Sequence, residues 1–152
     1  MAVEIERKFL VTDDAWKSAP FKYYSQAYLN LHQDRTVRVR IAGDKAFLTI
    51  KSFLSDTNRL EFEYPIPVDD ARQMMEICEQ PPVEKNRYLI TYDGLTWEVD
   101  QFLGANAGLV VAEIELESAE QEFGKPDWVG EEVSDQPKYL NSHLAKLPFS
   151  QW

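Results

Sequence analysis

Apolar and polar residues alternate along most of the chain. In an extended strand, successive side chains point to opposite faces. Over residues 1–10 this puts Glu4, Glu6 and Lys8 on one face and Val3, Ile5 and Phe9 on the other, with Arg7 the exception. Lys22 to Leu31 groups Tyr24, Gln26, Tyr28 and Asn30. Thr36 to Ile41 sets Arg38 and Arg40 against Val37, Val39 and Ile41. Ala46 to Phe53 sets Thr49 and Lys51 against Leu48 and Ile50. Leu60 to Ile66 sets Glu61 and Glu63 against Leu60, Phe62 and Tyr64. Val83 to Tyr92 carries Lys85 and Arg87, Leu95 to Phe102 carries Glu98 and Asp100, and Leu109 to Leu116 carries Glu113 and Glu115. Each set again faces an apolar row. The period predicts eight strands.

Breakers divide these strands. Gly43-Asp44 and Asp93-Gly94 are hairpin turns, and Pro65 and Pro67 end the fifth strand. Three stretches read as helices. A short one carries Trp16, capped by Thr12 or Asp13 and closed by Pro20. A second runs from Val68 through Glu79, with Asp69 as its cap and Ala71, Met74, Met75 and Cys78 at helical spacing, up to Pro81-Pro82. A third starts near Pro137 and continues through about Lys146, with Tyr139, Leu140, His143, Leu144 and Leu147 at packing positions before Pro148. Glu131 to Val133 is too short to assign. There is no repeat of fixed period, no low-complexity segment and no linker. The expectation is one domain over residues 1–152 with an α+β fold. Its centre is an eight-stranded antiparallel β-barrel with flanking helices and a C-terminal helix.

Such a barrel can be built in two ways. The charged faces can be solvated around a greasy centre, or they can line the interior while the apolar faces are covered from outside. Signs are segregated by strand: Arg38 and Arg40 on one, Glu61 and Glu63 on another. Solubility needs no such rule, because exposed pairs contribute only about 0–1 kcal/mol each. Burying charges in dry protein costs several kcal/mol per ion, so an inward arrangement requires a wide, wet tunnel. Rows of carboxylates suit hard cations such as Mg²⁺ or Mn²⁺, and a neighbouring lysine suits a phosphate.

Composition narrows the function. The chain has 152 residues, 44% hydrophobic, with a formal charge of -10. That argues for a globular fold and against nucleic-acid binding through a general basic surface. No signal-peptide pattern and no bilayer-length apolar run are present, so a cytoplasmic location with no membrane partner is expected. Cys78 is the only cysteine and reads as a buried, inert thiol; His32 and His143 read as structural.

Glu4-Ile-Glu6-Arg-Lys8 resembles the Glu-x-Glu-x-Lys signature of the CYTH superfamily, the triphosphate tunnel metalloenzymes. Arg38-Val-Arg40, Lys51, Glu61-Phe-Glu63, Lys85-Asn-Arg87, Asp100 and Glu113-Ile-Glu115 follow in the family's order, so the resemblance spans essentially the whole chain. It implies a tunnel that binds triphosphate compounds with divalent metal. It implies metal ligation by Glu4, Glu6, Glu113 and Glu115 with Glu61 and Glu63 nearby, and a phosphate cradle of Lys8, Arg38, Arg40, Lys51, Lys85 and Arg87. Lys138 falls where members often place a base near the tunnel mouth, and Ser134 replaces the Thr common there.

The expected activity is metal-dependent hydrolysis of inorganic triphosphate. Glu63 or Glu115 would take a proton from the attacking water, and Tyr28 would either touch phosphate or pack. A class IV-type adenylate cyclase, a thiamine or nucleoside triphosphatase, and a non-catalytic polyphosphate- or nucleotide-binding module are the alternatives. The apolar outer faces leave a homodimer open.

Overall fold

The structure, a computed structural model, describes residues 2–152. Strands β1 (Val3–Val11), β2 (Phe21–Asn30), β3 (Thr36–Ala42), β4 (Lys45–Phe53), β5 (Asn58–Ile66), β6 (Val83–Tyr92), β7 (Leu95–Phe102) and β8 (Val110–Leu116) pair antiparallel. Their order is β5-β4-β3-β2-β6-β7-β8-β1. β1 also pairs with β5, Val3 opposite Leu60 and Ile5 opposite Asn58, which closes an eight-stranded barrel. Tight turns drive the meander: Asp93 (φ 51°) and Gly94 (φ 79°) both take the left-handed backbone that a two-residue hairpin needs.

The β1–β5 seam is short, and β1 gains a further partner beyond it. β9 (Val129–Glu132) pairs with its second half, Phe9 opposite Glu132 and Val11 opposite Val129. This explains Arg7, the charge on an apolar face. Its Nε and Nη2 donate to the Glu132 carboxylate at 2.8 and 2.5 Å, and its guanidinium lies 5.0 Å from the Phe123 ring centre. Glu132 is thereby held below the usual carboxylate range by the Arg7 hydrogen bonds. Both partners are partly exposed, so Arg7→Met is expected to cost only about 1 kcal/mol. A thermal melt would show it as a Tm lower by about 2–4 °C.

Two stretches of the apolar outer face are covered from outside, while Phe21, Leu29, Tyr64 and Leu89 stay exposed. Phe9, Trp97, Val99, Ala112 and Ile114 pack beneath Trp16 and Trp128 from the connecting segments. Ala27, Val39 and Ala46 pack beneath Ala71 of α1 (Val68–Glu76). A third cluster lies inside one end of the barrel. Val83, Phe102 and Val111 share the face of Gln26, Lys85 and Asp100, which stand opposite them in register. Onto them dock Tyr139, Leu144 and Ala145 from the C-terminal segment, which plugs that end. Among the described residues no helix is long and apolar enough to cross a membrane.

The helices differ from the sequence reading in detail. α1 ends at Glu76, not Glu79, where the Ile77 N–H donates to Met74 O at 3.2 Å and the Cys78 N–H to Met75 O at 3.3 Å, tightening the last turn. Asp69 is not its cap. The Ala71 N–H already bonds to Pro67 O at 3.0 Å, so the helix starts earlier and Asp69 pairs with Arg72 instead. The third helix is broken: Pro137–Tyr139 form a 3-10 turn, Leu140 is extended (φ -69°, ψ 137°), and α2 runs only Asn141–Lys146. The break lets both Tyr139 and Leu144 reach the barrel end.

Candidate active site

The charged faces point inward. They surround a cavity of about 380 Å³. Of the expected residues, Glu4, Glu6, Lys8, Tyr28, Arg38, Arg40, Lys51, Glu61, Lys85, Arg87 and Glu113 line it. Strand register produces this by setting opposite charges across from each other: Lys8 against Glu113, Lys51 against Glu61, Arg87 against Asp100. The cavity is also bounded by the β2–β3 and β4–β5 turns through Gln33 and Asp56, by Arg59 at the start of β5, and by Asn141, Ser142 and His143 of the plug.

Three expected residues do not line this cavity. Glu63 lies on β5 beyond its short seam with β1; it is exposed, accepts from Thr49 Oγ1 at 2.9 Å and meets Arg38 Nη2 at 3.4 Å. Glu115 stands opposite Glu6 but is exposed. Lys138 is drawn away by aromatic faces, its ammonium 4.6 Å from the Trp152 ring centre and 5.3 Å from that of Tyr139.

The carboxylates are held by lysines. Lys8 Nζ lies 2.5 Å from Glu113 and 3.5 Å from Glu6. Lys51 Nζ lies 2.9 Å from Glu4 and 3.4 Å from Glu61. Burial opposes the charge on Lys8, but Glu113 and Glu6 outweigh it and its pKa is raised. Lys51 is raised in the same way, burial being overcome by Glu6 and Glu4 despite Arg38. Among the described residues no three acidic, histidine or cysteine side chains converge as a ready-made metal group. The donor chemistry nonetheless fits a hard cation. Partial burial and then the fields of Glu4, Glu61, Glu98 and Glu6 push Glu115 up to about 7, so several carboxylates bear on one another at this end of the barrel.

The bases toward the plug share one carboxylate. Asp100, fully buried, accepts from Arg87 Nε at 2.8 Å, Arg87 Nη2 at 2.9 Å and Lys85 Nζ at 2.8 Å. Burial pushes Lys85 down to about 7; Asp100 opposes this, while Arg87 and Arg40 add to it. A polyanion entering the cavity should return that proton. Tripolyphosphate binding near pH 8 is therefore expected to take up more protons in the wild type than in Lys85→Met. Titration calorimetry in buffers of different ionisation enthalpy measures the difference, and equal uptake would remove Lys85 from the site.

Sequence reasoning overlooked Gln26, Thr49 and Asn141. The polar face of β2 did show Gln26, but as a neutral residue it carried no charge signal. Asn141 sits in the tail, where no period pointed inward.

A closed antiparallel barrel with carboxylates and bases sharing its interior defines the class. The chain belongs to the CYTH domain family, whose model matches residues 2–147. It is 49% identical to an inorganic triphosphatase of Acetivibrio thermocellus over all of this chain and 99% of that protein. It is 37% identical to an inorganic triphosphatase of Nitrosomonas europaea over 93% of this chain and 96% of that one. A solved inorganic triphosphatase structure superposes with a TM-score of 0.66 at 34% identity, covering 95% of each chain.

Proposed function

We propose that this chain hydrolyses inorganic triphosphate to pyrophosphate and phosphate, with Mg²⁺ or Mn²⁺ as cofactor. One observation carries the reading: bases and carboxylates line the same enclosed cavity. The relatives named as inorganic triphosphatases support the choice of substrate.

Cleaving a phosphoanhydride is mainly positioning and charge stabilisation. Lys8, Arg38, Arg40, Lys51, Lys85 and Arg87 would bind and align the phosphates. Arg38 Nε is buried without a hydrogen-bond partner, an orphan that a phosphate oxygen would satisfy. Glu4, Glu6, Glu61 and Glu113, with Glu115 at the rim, would hold the cation, which supplies neutralisation of phosphate charge. Glu115 or Glu63 would take the proton from an attacking water. Glu63 would serve through Thr49 and Arg38, which it touches.

Phosphate release from tripolyphosphate, ATP and thiamine triphosphate, each with Mg²⁺ and with Mn²⁺, tests this reading. Tripolyphosphate should be turned over fastest and only with metal. Preference for an organic triphosphate, formation of cyclic AMP, or tight binding without turnover would overturn it.

A further inference from the structure

The bases toward the plug present a packing problem. Arg40, Lys85 and Arg87 crowd together, and burial followed by the charges of Arg38 and Arg87 pushes Arg40 down to about 9. Asp100 serves Lys85 and Arg87, whereas among the described residues Arg40 forms no salt bridge. Uncharged groups hold it instead. Gln26, fully buried, accepts from Arg40 Nε through its Oε1 at 2.9 Å. Its Nε2 donates to Asn141 Oδ1 at 2.9 Å, and that same oxygen accepts from Lys85 Nζ at 2.9 Å. The Tyr24 ring faces both guanidiniums, its centre 4.9 Å from Arg40 and 5.0 Å from Arg87. The contacts close a ring from Arg40 through Gln26, Asn141, Lys85, Asp100 and Arg87 to Tyr24 and back to Arg40.

We propose that Tyr24, Gln26 and Asn141 are positioning residues that hold Arg40, Lys85 and Arg87 in place without cancelling their charge, and so set the cavity's affinity for a polyphosphate. The inference rests on reading this cavity as a polyphosphate site. A carboxylate at Asn141 could accept the same hydrogen bonds, and more strongly, but would neutralise part of the field that attracts the anion. Neutral acceptors and a ring face order the bases and leave their charge available. Asn141 is the first residue of α2, so the plug is tied directly to the phosphate-binding bases.

The test separates charge from geometry. Asn141→Asp keeps the acceptor that serves Gln26 and Lys85 and adds one negative charge. It is expected to raise KM for tripolyphosphate about tenfold or more, with kcat changed less than threefold and Tm not lowered. A purely structural role would leave KM unmoved in this variant, and a wild-type KM overturns the proposal. Should it fold poorly, calorimetric binding of tripolyphosphate to Tyr24→Leu and Tyr24→Phe decides. Weaker binding in Tyr24→Leu, recovered in Tyr24→Phe, supports the proposal; equal binding in both overturns it. If the wild type itself fails to bind tripolyphosphate, the reading of the cavity falls, an outcome distinct from variants that bind as well as a binding-competent wild type.

Discussion

Glu6→Gln is expected to lower kcat/KM for tripolyphosphate with Mg²⁺ by about 10³-fold or more, roughly 4 kcal/mol of transition-state stabilisation. Glu6 lines the cavity, stands opposite Glu115 and lies 3.5 Å from Lys8. Burial works against its charge, but Lys8 and Lys51 outweigh burial and hold it below the usual carboxylate range. It therefore stays ionised at neutral pH and available to a cation. The glutamine keeps the shape but loses the charge, so the barrel should remain intact, with Tm close to the wild type. Steady-state phosphate release and a thermal melt check both halves. Activity within tenfold of wild type would remove Glu6 from the metal-binding set.

Asp100→Asn is expected to have the largest effect on stability. The carboxylate is fully buried and carries three charge-assisted hydrogen bonds from Arg87 and Lys85. Breaking a buried pair by removing one partner costs about 3–5 kcal/mol, because the remaining charge is left uncompensated. Here Arg87 keeps a buried charge without its carboxylate, and Lys85 loses its charged acceptor. For a chain of this size Tm should fall by roughly 10 °C or more. The same group sets an acid limit. Burial raises the pKa of Asp100, but Arg87 and Lys85 overcome this and hold it at about 2, below its unfolded value of 3.8. Its stabilisation is thus present above about pH 4 and lost as pH falls from there toward 2. The wild-type melting temperature should drop steeply across that window, and the Asp100→Asn curve should be flatter. A Tm unchanged by the substitution would show that Arg87 and Lys85 do not depend on this carboxylate.

Much of the barrel was legible in the chain. Period-two alternation depends only on backbone geometry, so it marked every strand of the closed barrel and put Lys8, Arg38, Lys51, Lys85 and Glu113 on shared faces. The short strand β9 carried too few residues to show a period. The helix ends were misjudged because capping is settled by the first hydrogen bond made, here Ala71 to Pro67, and not by the nearest acidic residue.

Alternation by itself determined which residues share a face. It did not determine which face is inside, because a row of charges has the same spacing whether it meets water or a tunnel. Only the tertiary structure decided that: packing Trp16, Trp128 and Ala71 over parts of the apolar faces left the charged faces to line the cavity. Tertiary structure also separated residues of one sequence set, keeping Glu61 on the wall while Glu63, past the β1–β5 seam, stays at the rim. It brought Asn141 beside Gln26 from the other end of the chain, because plug position follows from where Tyr139 and Leu144 find apolar contact, a long-range condition that no local pattern encodes.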